Sequence, residues 1–509
     1  MDRRAFLKHA AAASFSGLAP KLSSRQVSRD SVASDGAPAS REFFYRPQDG
    51  YVGDVIPFYS GGRWRVFYLH RINGTSVTSW YQASTTDFVR FVNHGEMISP
   101  GSEQDQDLSV ATGSVVESDG RFHIFYTGYS SVFKAHGRPE QGILHAISDD
   151  LMTWTKVPHS NFNAPLDRFE RDDWRDPFVF WNKEANEYWM LIAARLRTGS
   201  ARRRGCTALC ASRDLDRWEV RQPFWVPGLY MTHECPDLFR MGDWWYLIFS
   251  EFSEGLQTRY RMSRSIHGPW LTPDLDTFDT RALYAAKSCS DGQRRMLLGW
   301  NPTRAARKDE GNWEWGGNLA VHQLHQERDG SLSVHVPDSV ARVFTISEPV
   351  RIEPAIGNVR TSGAEVVVEA PDTFAVARCG SIPVPSKITA TVRFAPKTRS
   401  CGLVLHMGAD PDRCYYVRLE PERGRVVFDR WPRPGDVTFM TGMERPVSLE
   451  PRQPVNLTVF VDDTIGEIYV NDHVAMSTRM YDFHGGSWGI FAEEGSAAFR
   501  DLSCFSIGT

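Results

Sequence analysis

The chain has 509 residues, which is enough for two or three domains. Its formal net charge is only −4, so the composition gives no sign of a nucleic-acid partner. The eight cysteines are scattered and contain no CxxC pair, which argues against a dense disulfide framework and against a zinc site.

The N-terminus predicts an export signal. Arg3 and Arg4 stand before Phe6-Leu7 and a short run rich in Ala and Ser, a pattern typical of twin-arginine signals. The apolar stretch is too short to span a membrane. Residues 21–40 are rich in Ser, Ala and Asp and predict a disordered spacer. We therefore expect residues 1–40 to precede the folded domains, and the protein to be periplasmic or extracellular.

Residues 41–340 contain a repeat of short elements. Five aromatic strands begin near Arg63, Arg121, Glu187, Trp244 and Arg294. A second signature, a turn opened by Ser or Thr and closed by an aromatic residue, recurs at intervals of 63, 64 and 51 residues. Repeats of this size, built from strands and turns, predict an all-β domain made as a five-bladed β-propeller.

The repeat stops after about residue 340. Residues 345–509 show alternating apolar and polar positions in short strands, such as 388–394, 455–461 and 466–470. Alternation with regular turns predicts a C-terminal β-sandwich. Asn471-Asp472 follows one strand and predicts a tight turn.

Three acidic residues open three of the five repeats, each directly before an apolar strand. They are Asp54, Asp176 and Glu234. Acids at the starts of inner strands are costly unless they have partners or a function. Around a propeller axis they would converge, and converging carboxylates can cleave a glycosidic bond.

Several other side chains are candidates for substrate binding. Asp107 precedes the second inner strand, and His233 adjoins Glu234, although a solvated loop and a structural histidine are the respective alternatives. Trp313 and Trp315 lie in a Gly-rich loop, where stacking on a sugar and packing in a core are equally compatible with the sequence. The chemistry implies no metal and no cofactor.

Arg175-Asp176-Pro177 and Glu234-Cys235 resemble the RDP and EC motifs of glycoside hydrolase family 32, the invertase, inulinase and levanase family. Tyr284-Ala-Ala-Lys287 and Trp315-Gly-Gly317 resemble its fifth-blade segment, and residues 459–472 resemble its sandwich. The resemblance covers roughly residues 42–509 and implies a five-bladed propeller followed by a sandwich.

The resemblance also implies retaining chemistry on fructosyl bonds. By position, Asp54 would be the nucleophile and Glu234 the general acid and base. Asp176 would hold sugar hydroxyls, with Arg175 beside it as a charged partner at the substrate.

The first motif departs from the family pattern. The family reads Trp-Met-Asn-Asp-Pro-Asn-Gly, whereas residues 51–57 read Tyr-Val-Gly-Asp-Val-Ile-Pro. Asp49 is a weaker rival to Asp54. This departure leaves open whether the enzyme acts on fructans or sucrose, on another furanoside such as an arabinofuranoside, or only binds carbohydrate. The sequence also leaves open whether the fructosyl unit is transferred to water or to another sugar, and it does not give the oligomeric state.

Overall fold

The computed structural model describes residues 43–72, 76–429 and 443–508. The predicted export signal and spacer lie outside these residues. Strands dominate the described chain. Its α-helices are two short segments, α1 (Ser131–Ala135) and α2 (Asp338–Ala341), and three single 3₁₀ turns occupy Pro158–Ser160, Ala305–Arg307 and Pro421–Arg423. No helix among the described residues is long and apolar enough to cross a membrane.

The N-terminal domain is the predicted five-bladed propeller, built from antiparallel blades. Blade one contains β1 (Gly50–Ser60), β2 (Arg63–Ile72), β3 (Ser79–Thr85) and β4 (Val92–Ile98). Blade two contains β5 (Ser109–Ser118), β6 (Arg121–Tyr129), β7 (Gln141–Ser148) and β8 (Thr155–Lys156). Blade three contains β9 (Phe169–Asn182), β10 (Glu187–Leu196), β11 (Gly205–Ser212) and β12 (Glu219–Val220). Blade four contains β13 (Glu234–Met241), β14 (Trp244–Glu251) and β15 (Gln257–Ser263). Blade five contains β16 (Tyr284–Ser290), β17 (Arg295–Arg304), β18 (Trp313–Gln326) and β19 (Leu332–His335).

The repeated turns explain why the blades look alike in sequence. In each of the first three blades an aspartate accepts backbone N–H bonds from residues two and three positions ahead, at 2.7–3.0 Å. The residue after each aspartate adopts a positive φ of 57–65°. These aspartates are Asp87, Asp150 and Asp214. The turn therefore depends on the short acidic side chain at one fixed place.

A β-bulge interrupts the first strand of every blade at the equivalent place. A bulge adds a residue to one strand and redirects a side chain. We call the first bulged residues the bulge positions: Asp54, Thr112, Asp176, Cys235 and Ala285. The residues just before them are the pre-bulge positions: Gly53, Ala111, Arg175, Glu234 and Tyr284. The fold thus places ten side-chain positions around the propeller axis.

The C-terminal domain is a β-sandwich whose layers share one bent strand. The N-terminal half of β32 (Ser487–Ile507) pairs with β25 (Ser400–Met407), and its C-terminal half pairs with β24 (Ser386–Phe394). The other strands are β20 (Phe344–Glu348), β21 (Glu353–Ile356), β22 (Asn358–Ser362), β23 (Glu365–Ser381), β26 (Tyr415–Glu420), β27 (Arg425–Asp429), β28 (Met443–Pro446), β29 (Val455–Asp462), β30 (Ile465–Val470) and β31 (Val474–Arg479). Asn471 and Asp472 both adopt positive φ between β30 and β31, as the predicted tight turn requires.

A buried polar cluster joins the two domains. His322 of the propeller lies 3.0 Å from Asp279 and 3.2 Å from Glu467 of the sandwich. Tyr469 and Ser477, also from the sandwich, complete what we call the interdomain cluster through hydrogen bonds to His322 and Asp279 at 2.6–2.8 Å. Every member is buried. Such a network stabilises a unique interface only while its groups satisfy one another.

Candidate active site

The bulges bring the three predicted carboxylates to one end of the propeller axis. Lys287 in blade five donates a hydrogen bond of 2.7 Å to the carbonyl of Gly113 in blade two, so the contacts reach across the axis below them. Asp54 and Asp176 occupy bulge positions, whereas Glu234 is at a pre-bulge position because Cys235 takes the bulge of blade four. The three acids are therefore close but not strictly equivalent, contrary to the sequence register.

Asp54 is held by its neighbours on both sides. Thr112 Oγ1 donates to Oδ2 at 2.6 Å, and the indole N–H of Trp300 donates to Oδ1 at 3.2 Å. Burial raises the pKa of Asp54, and the charge of Asp176 adds to this effect, while the bonds from Thr112 and Trp300 oppose it. The rival Asp49 has a largely exposed side chain that pairs with His70 at 3.3 Å. Asp54 is therefore the acid of blade one that lies in the centre.

Asp176 is buried and fixed by backbone geometry. Its φ is 58°, a left-handed conformation that is uncommon for a residue other than glycine. Its N–H donates to Thr127 Oγ1 at 2.7 Å, and its Oδ2 accepts from the N–H of Cys235 at 3.0 Å. Backbone strain of this kind is typical of functional sites, where the surrounding structure supports it.

Glu234 lies between two other pre-bulge residues. Arg175 donates from Nη2 to Oε1 at 3.0 Å, and the hydroxyl of Tyr284 donates to Oε2. Burial raises the pKa of Glu234; Arg175 and Tyr284 lower it, and the charge of Asp176 raises it further. A carboxyl with a raised pKa in a cleft can act as a general acid near neutral pH.

Arg175 links the acids to one another. It contacts Asp173, Glu234 and, at 3.8 Å, Asp176. Burial alone would lower the pKa of Arg175, but these carboxylates raise it well above its usual value. The arginine therefore stays charged and compensates part of the negative charge in the centre.

The two candidate tryptophans have different environments. The Trp315 ring packs beside Gly53, and its centroid is 6.0 Å from that of Trp300, so it lies next to Asp54. Trp313 packs instead against the core of the sandwich, with the guanidinium of Arg304 3.8 Å above its ring. Sugar stacking remains a prediction for both, and the geometry favours Trp315.

Asp107 and His233 are engaged by protein groups. Asp107 accepts from Tyr126 at 2.9 Å and from Lys156 at 2.6 Å. His233 is fully buried; its ring nitrogens lie 3.3–3.4 Å from Leu229 O and Thr207 Oγ1. Burial lowers the pKa of His233 to about 3. The structure thus gives both residues structural partners, and within the described part of the chain neither is hydrogen-bonded to the three carboxylates.

Four residues of the site were not identified from the sequence: Thr112, Trp300, Tyr284 and Arg71, whose guanidinium lies 4.4 Å from the centroid of the Trp315 ring. Thr112 and Tyr284 stand at bulge and pre-bulge positions, so alignment of the repeats could have found them. Trp300 lies on β17 and Arg71 on β2, each the second strand of its blade. Both side chains reach the centre only through the packing of the blade. Within residues 43–72, 76–429 and 443–508, no group of three or more His, Cys, Asp and Glu side chains is arranged to hold a metal ion.

Buried, converging carboxylates on a five-bladed propeller backed by a sandwich define a glycoside hydrolase. Comparison with known proteins gives the family. Residues 45–332 match the description "Glycosyl hydrolases family 32 N-terminal domain", and residues 367–506 match "Glycosyl hydrolases family 32 C terminal". The chain therefore belongs to glycosyl hydrolase family 32.

Individual relatives are distant but match along nearly the whole chain. A raffinose invertase of Escherichia coli is 24% identical over 484 residues, which cover 90% of this chain and 93% of that protein. The structure of sucrose-6-phosphate hydrolase from Lactobacillus gasseri superposes with a TM-score of 0.71 at 17% identity, covering 92% and 93% of the two chains. Fructan 1-exohydrolase IIa of Cichorium intybus, in complex with 1-kestose, also gives 0.71, at 16% identity, covering 92% and 98%. These structures share the fold.

Proposed function

We propose that the protein is a retaining β-fructofuranosidase that acts on sucrose-type or fructan-type linkages. The observation that carries this proposal is the convergence of three carboxylates at the propeller axis, each fixed by its own partners: Asp54 by Thr112, Asp176 by the N–H of Cys235, and Glu234 by Arg175. Support also comes from the relatives, whose names include raffinose invertase, sucrose-6-phosphate hydrolase and levanase.

In this proposal Asp54 is the nucleophile. One of its carboxylate oxygens attacks the anomeric carbon of the fructosyl unit and forms a covalent bond as the glycosidic C–O bond breaks. The hydrogen bonds from Thr112 and Trp300 favour the ionised form that this step needs. They also fix the orientation of the carboxylate, so little rearrangement is required before attack.

Glu234 supplies and recovers the proton. Its protonated carboxyl gives the proton to the leaving oxygen, which takes the electron pair of the broken bond. The resulting carboxylate then accepts a proton from water, and the water oxygen releases the sugar from Asp54. Tyr284 and Arg175 contact the two oxygens of Glu234 and so hold the side chain in one orientation.

Asp176 and Arg175 act around the reaction centre. In the proposed mechanism the carboxylate of Asp176 binds sugar hydroxyls and stabilises positive charge that develops on the ring. Its anchoring to the N–H of Cys235 keeps it in place during this change. Arg175 balances the charge of the acids, and its two terminal nitrogens are already used in hydrogen bonds to protein groups that fix its position.

The same intermediate allows fructosyl transfer. If a sugar hydroxyl replaces water in the second step, Glu234 accepts its proton and an oligosaccharide or a cyclic difructose forms. Both outcomes share the fold and the proposed catalytic residues, so the acceptor decides the product. Product analysis at rising sucrose concentration measures this partition directly.

The deciding experiment compares wild type, Glu234→Gln and the matched control Glu184→Gln. Glu184 is an exposed carboxylate on a turn of blade three. Each protein is assayed on sucrose, raffinose, inulin, levan and nitrophenyl arabinofuranoside, and the first anomer released is read by NMR. We expect retained β-fructose from wild type and control, and a loss of about 10²–10⁴-fold in Glu234→Gln. Turnover of the arabinofuranoside alone would refute the fructoside assignment, and binding without turnover would indicate a carbohydrate-binding protein.

We also propose that the protein is exported by a twin-arginine route. The support is the sequence of residues 1–20, with Arg3 and Arg4 before an apolar run. The test is the location of the full chain in fractionated cells, beside a variant with both arginines replaced by lysine. Retention of the variant inside the cytoplasm is expected, and equal export of both proteins would refute the route.

A further inference from the structure

The pre-bulge positions differ between blades in an informative way. In blades three, four and five they carry Arg175, Glu234 and Tyr284, which hydrogen-bond to one another. In blade one the position is Gly53, which has no side chain to offer. A Cβ built there would lie 2.2 Å from the ring of Trp315, so the tryptophan already fills the space. The blade-one side of the site therefore needs another source of polar contacts.

Arg71 is placed to supply them. It lies near the end of β2, paired with Tyr51 of β1, and its guanidinium is 4.4 Å from the centroid of Trp315. Its Nε is buried without a hydrogen-bond partner. Among the residues that the structure describes, no hydrogen bond or ion pair of the Arg71 side chain is found. Its donors are thus oriented by stacking and left free for a ligand.

The surrounding charges indicate what kind of ligand fits. Burial lowers the pKa of Arg71, and the nearby carboxylates of Glu314 and Asp54 offset this only in part. Asp173, Asp176 and Glu234 pair with Arg175, so five acids and two arginines, Arg71 and Arg175, occupy this part of the site. A phosphate or carboxylate on the substrate would meet repulsion from these acids, whereas a neutral hydroxyl can accept from the guanidinium without it.

We propose that Arg71 binds neutral hydroxyls of the sugar next to the scissile bond and thereby determines substrate specificity. Its guanidinium is stacked on Trp315, and the absence of a side chain at Gly53 leaves room for that ring. The inference rests on the proposed fructofuranosidase function. The polar contact on the blade-one side of the site then comes from Arg71 of β2. In the family motif, the position of Gly53 is an asparagine, whose side-chain amide would stand there instead. Trp315 then serves both as a platform for Arg71 and as a wall of the sugar site.

The test compares kcat/KM of wild type, Arg71→Lys and Arg71→Ala on sucrose, raffinose and sucrose 6-phosphate. Losing a hydrogen bond from a charged donor lowers kcat/KM by about 10- to 100-fold. We expect this loss on the two neutral substrates, with Arg71→Lys only partly active because lysine lacks the planar fork. The matched control is Arg264→Ala, since Arg264 stacks on Trp244 at 4.0 Å at the turn side of blade four. It should leave kcat/KM unchanged.

A double-mutant cycle tests the geometry separately. Gly53→Asn alone forces a side chain against Trp315 and should lose both activity and thermal stability. Trp315→Ala opens the space, so the double variant Gly53→Asn/Trp315→Ala should be more stable than Gly53→Asn. Non-additivity of this sign is expected only for residues that compete for the same space.

The outcomes separate the two proposals. No turnover of any fructoside by wild type overturns the fructofuranosidase function and the role of Arg71 with it. Turnover by wild type that is unchanged in both Arg71 variants, at equal thermal stability, overturns the role of Arg71 alone. A preference for sucrose 6-phosphate that disappears in Arg71→Ala would show an anionic ligand and overturn the neutral-hydroxyl assignment. Additive effects in the cycle would overturn the part given to Gly53.

Discussion

The interdomain cluster and the active-site group are both buried sets of ionisable residues, and they differ in how their charges are balanced. The interdomain cluster sets Asp279 and Glu467 around His322, and both ring nitrogens of the histidine face an acid or a hydroxyl. The active-site group sets Asp54, Asp176 and Glu234 around Arg175, with the side chain of Glu234 still 20% exposed. One group is sealed between domains and the other is partly open to solvent.

The comparison shows how burial can serve either stability or chemistry. In the interdomain cluster Asp279 has its pKa lowered despite burial, because His322 and Ser477 donate to it. In the active site the pKa values of Asp54 and Glu234 are raised, because burial and mutual repulsion outweigh the bonds that they accept. Glu467 of the interdomain cluster also has a raised pKa, about 7, so the two groups differ in access to solvent more than in the direction of their shifts. Only the active-site acids, partly exposed at Glu234, can exchange protons with a substrate.

The largest expected effect comes from making the same Asp→Asn substitution once in each group. Asp54→Asn should lower kcat by about 10⁴–10⁶-fold, as loss of a nucleophile does in other enzymes, with little change in the unfolding temperature. Asp279→Asn should leave kcat nearly intact but destabilise the fold by about 3 kcal/mol, because His322 loses its charged partner in a buried place. Kinetics and thermal unfolding of both variants check this.

Two results would break the comparison. Full activity of Asp54→Asn would remove this acid from the chemistry and direct attention to Asp49, whose Asp49→Asn variant serves as the control. An unchanged unfolding temperature in Asp279→Asn would show that the interdomain cluster contributes nothing to stability.

A smaller effect is expected from Tyr284→Phe. The tyrosine donates to Glu234, and this bond lowers the pKa of Glu234 against the larger effect of burial. Its removal should therefore raise the pKa of Glu234 and move the basic limb of the kcat/KM profile to higher pH, since the general acid stays protonated longer. We expect about a 10-fold loss of kcat, within the range for one oriented hydrogen bond. A profile that shifts to lower pH would contradict the assignment of Glu234 as the acid.

The pH dependence of stability should report on the interdomain cluster. Burial raises the pKa of Glu467 to about 7, from 4.5 in the unfolded chain. The folded state therefore holds this proton more tightly, and the stability that it contributes is lost as the pH rises from about 4.5 through 7. His322 acts in the same direction: burial lowers its pKa, but Asp279 and Glu467 raise it above 6.5 overall. Asp279, with a lowered pKa, loses its contribution only on acidification below about 4.

Thermal unfolding between pH 5 and pH 8 measures this. We expect the unfolding temperature of wild type to fall across this interval, and to fall less in Glu467→Gln, because an amide cannot ionise. Glu369→Gln, at an exposed ion pair with Arg360 in the sandwich, is the control and should keep the slope of wild type. Equal slopes in all three proteins would refute the account.

The repeat predicted the propeller because each blade carries its own turn chemistry. The aspartates of the capped turns and the aromatic strands are local signals, so the sequence predicts them without knowledge of the neighbours. The sandwich strands followed equally from alternation. The convergence of the three acids also followed from the sequence, since each directly precedes an apolar run, although Asp54 and Asp176 lie inside β1 and β9 and only Glu234 begins its strand.

The partners of those acids could not be predicted in the same way. Trp300 reaches Asp54 from 246 residues away along the chain, and Arg71 approaches through a stack on Trp315. Such contacts depend on the bulge and on how adjacent strands pack. The sequence repeat likewise makes Glu234 equivalent to Asp176. Only the strand pairing shows that Cys235, and not Glu234, occupies the bulge of blade four.

The smallest expected effect is at His233, which tests whether adjacency to Glu234 has any catalytic meaning. Its ring centroid lies 4.7 Å from that of Trp225 and 5.1 Å from that of Phe249, two members of a buried apolar cluster. With its pKa lowered to about 3, it is neutral between pH 5 and pH 8 and cannot shape the pH profile there. His233→Phe should thus leave KM and the profile unchanged, at a cost of about 1–3 kcal/mol in stability because the larger ring overpacks a buried site. A raised KM at unchanged stability would instead place His233 in contact with the substrate. His233 would then belong to the substrate site and not to the core that supports it.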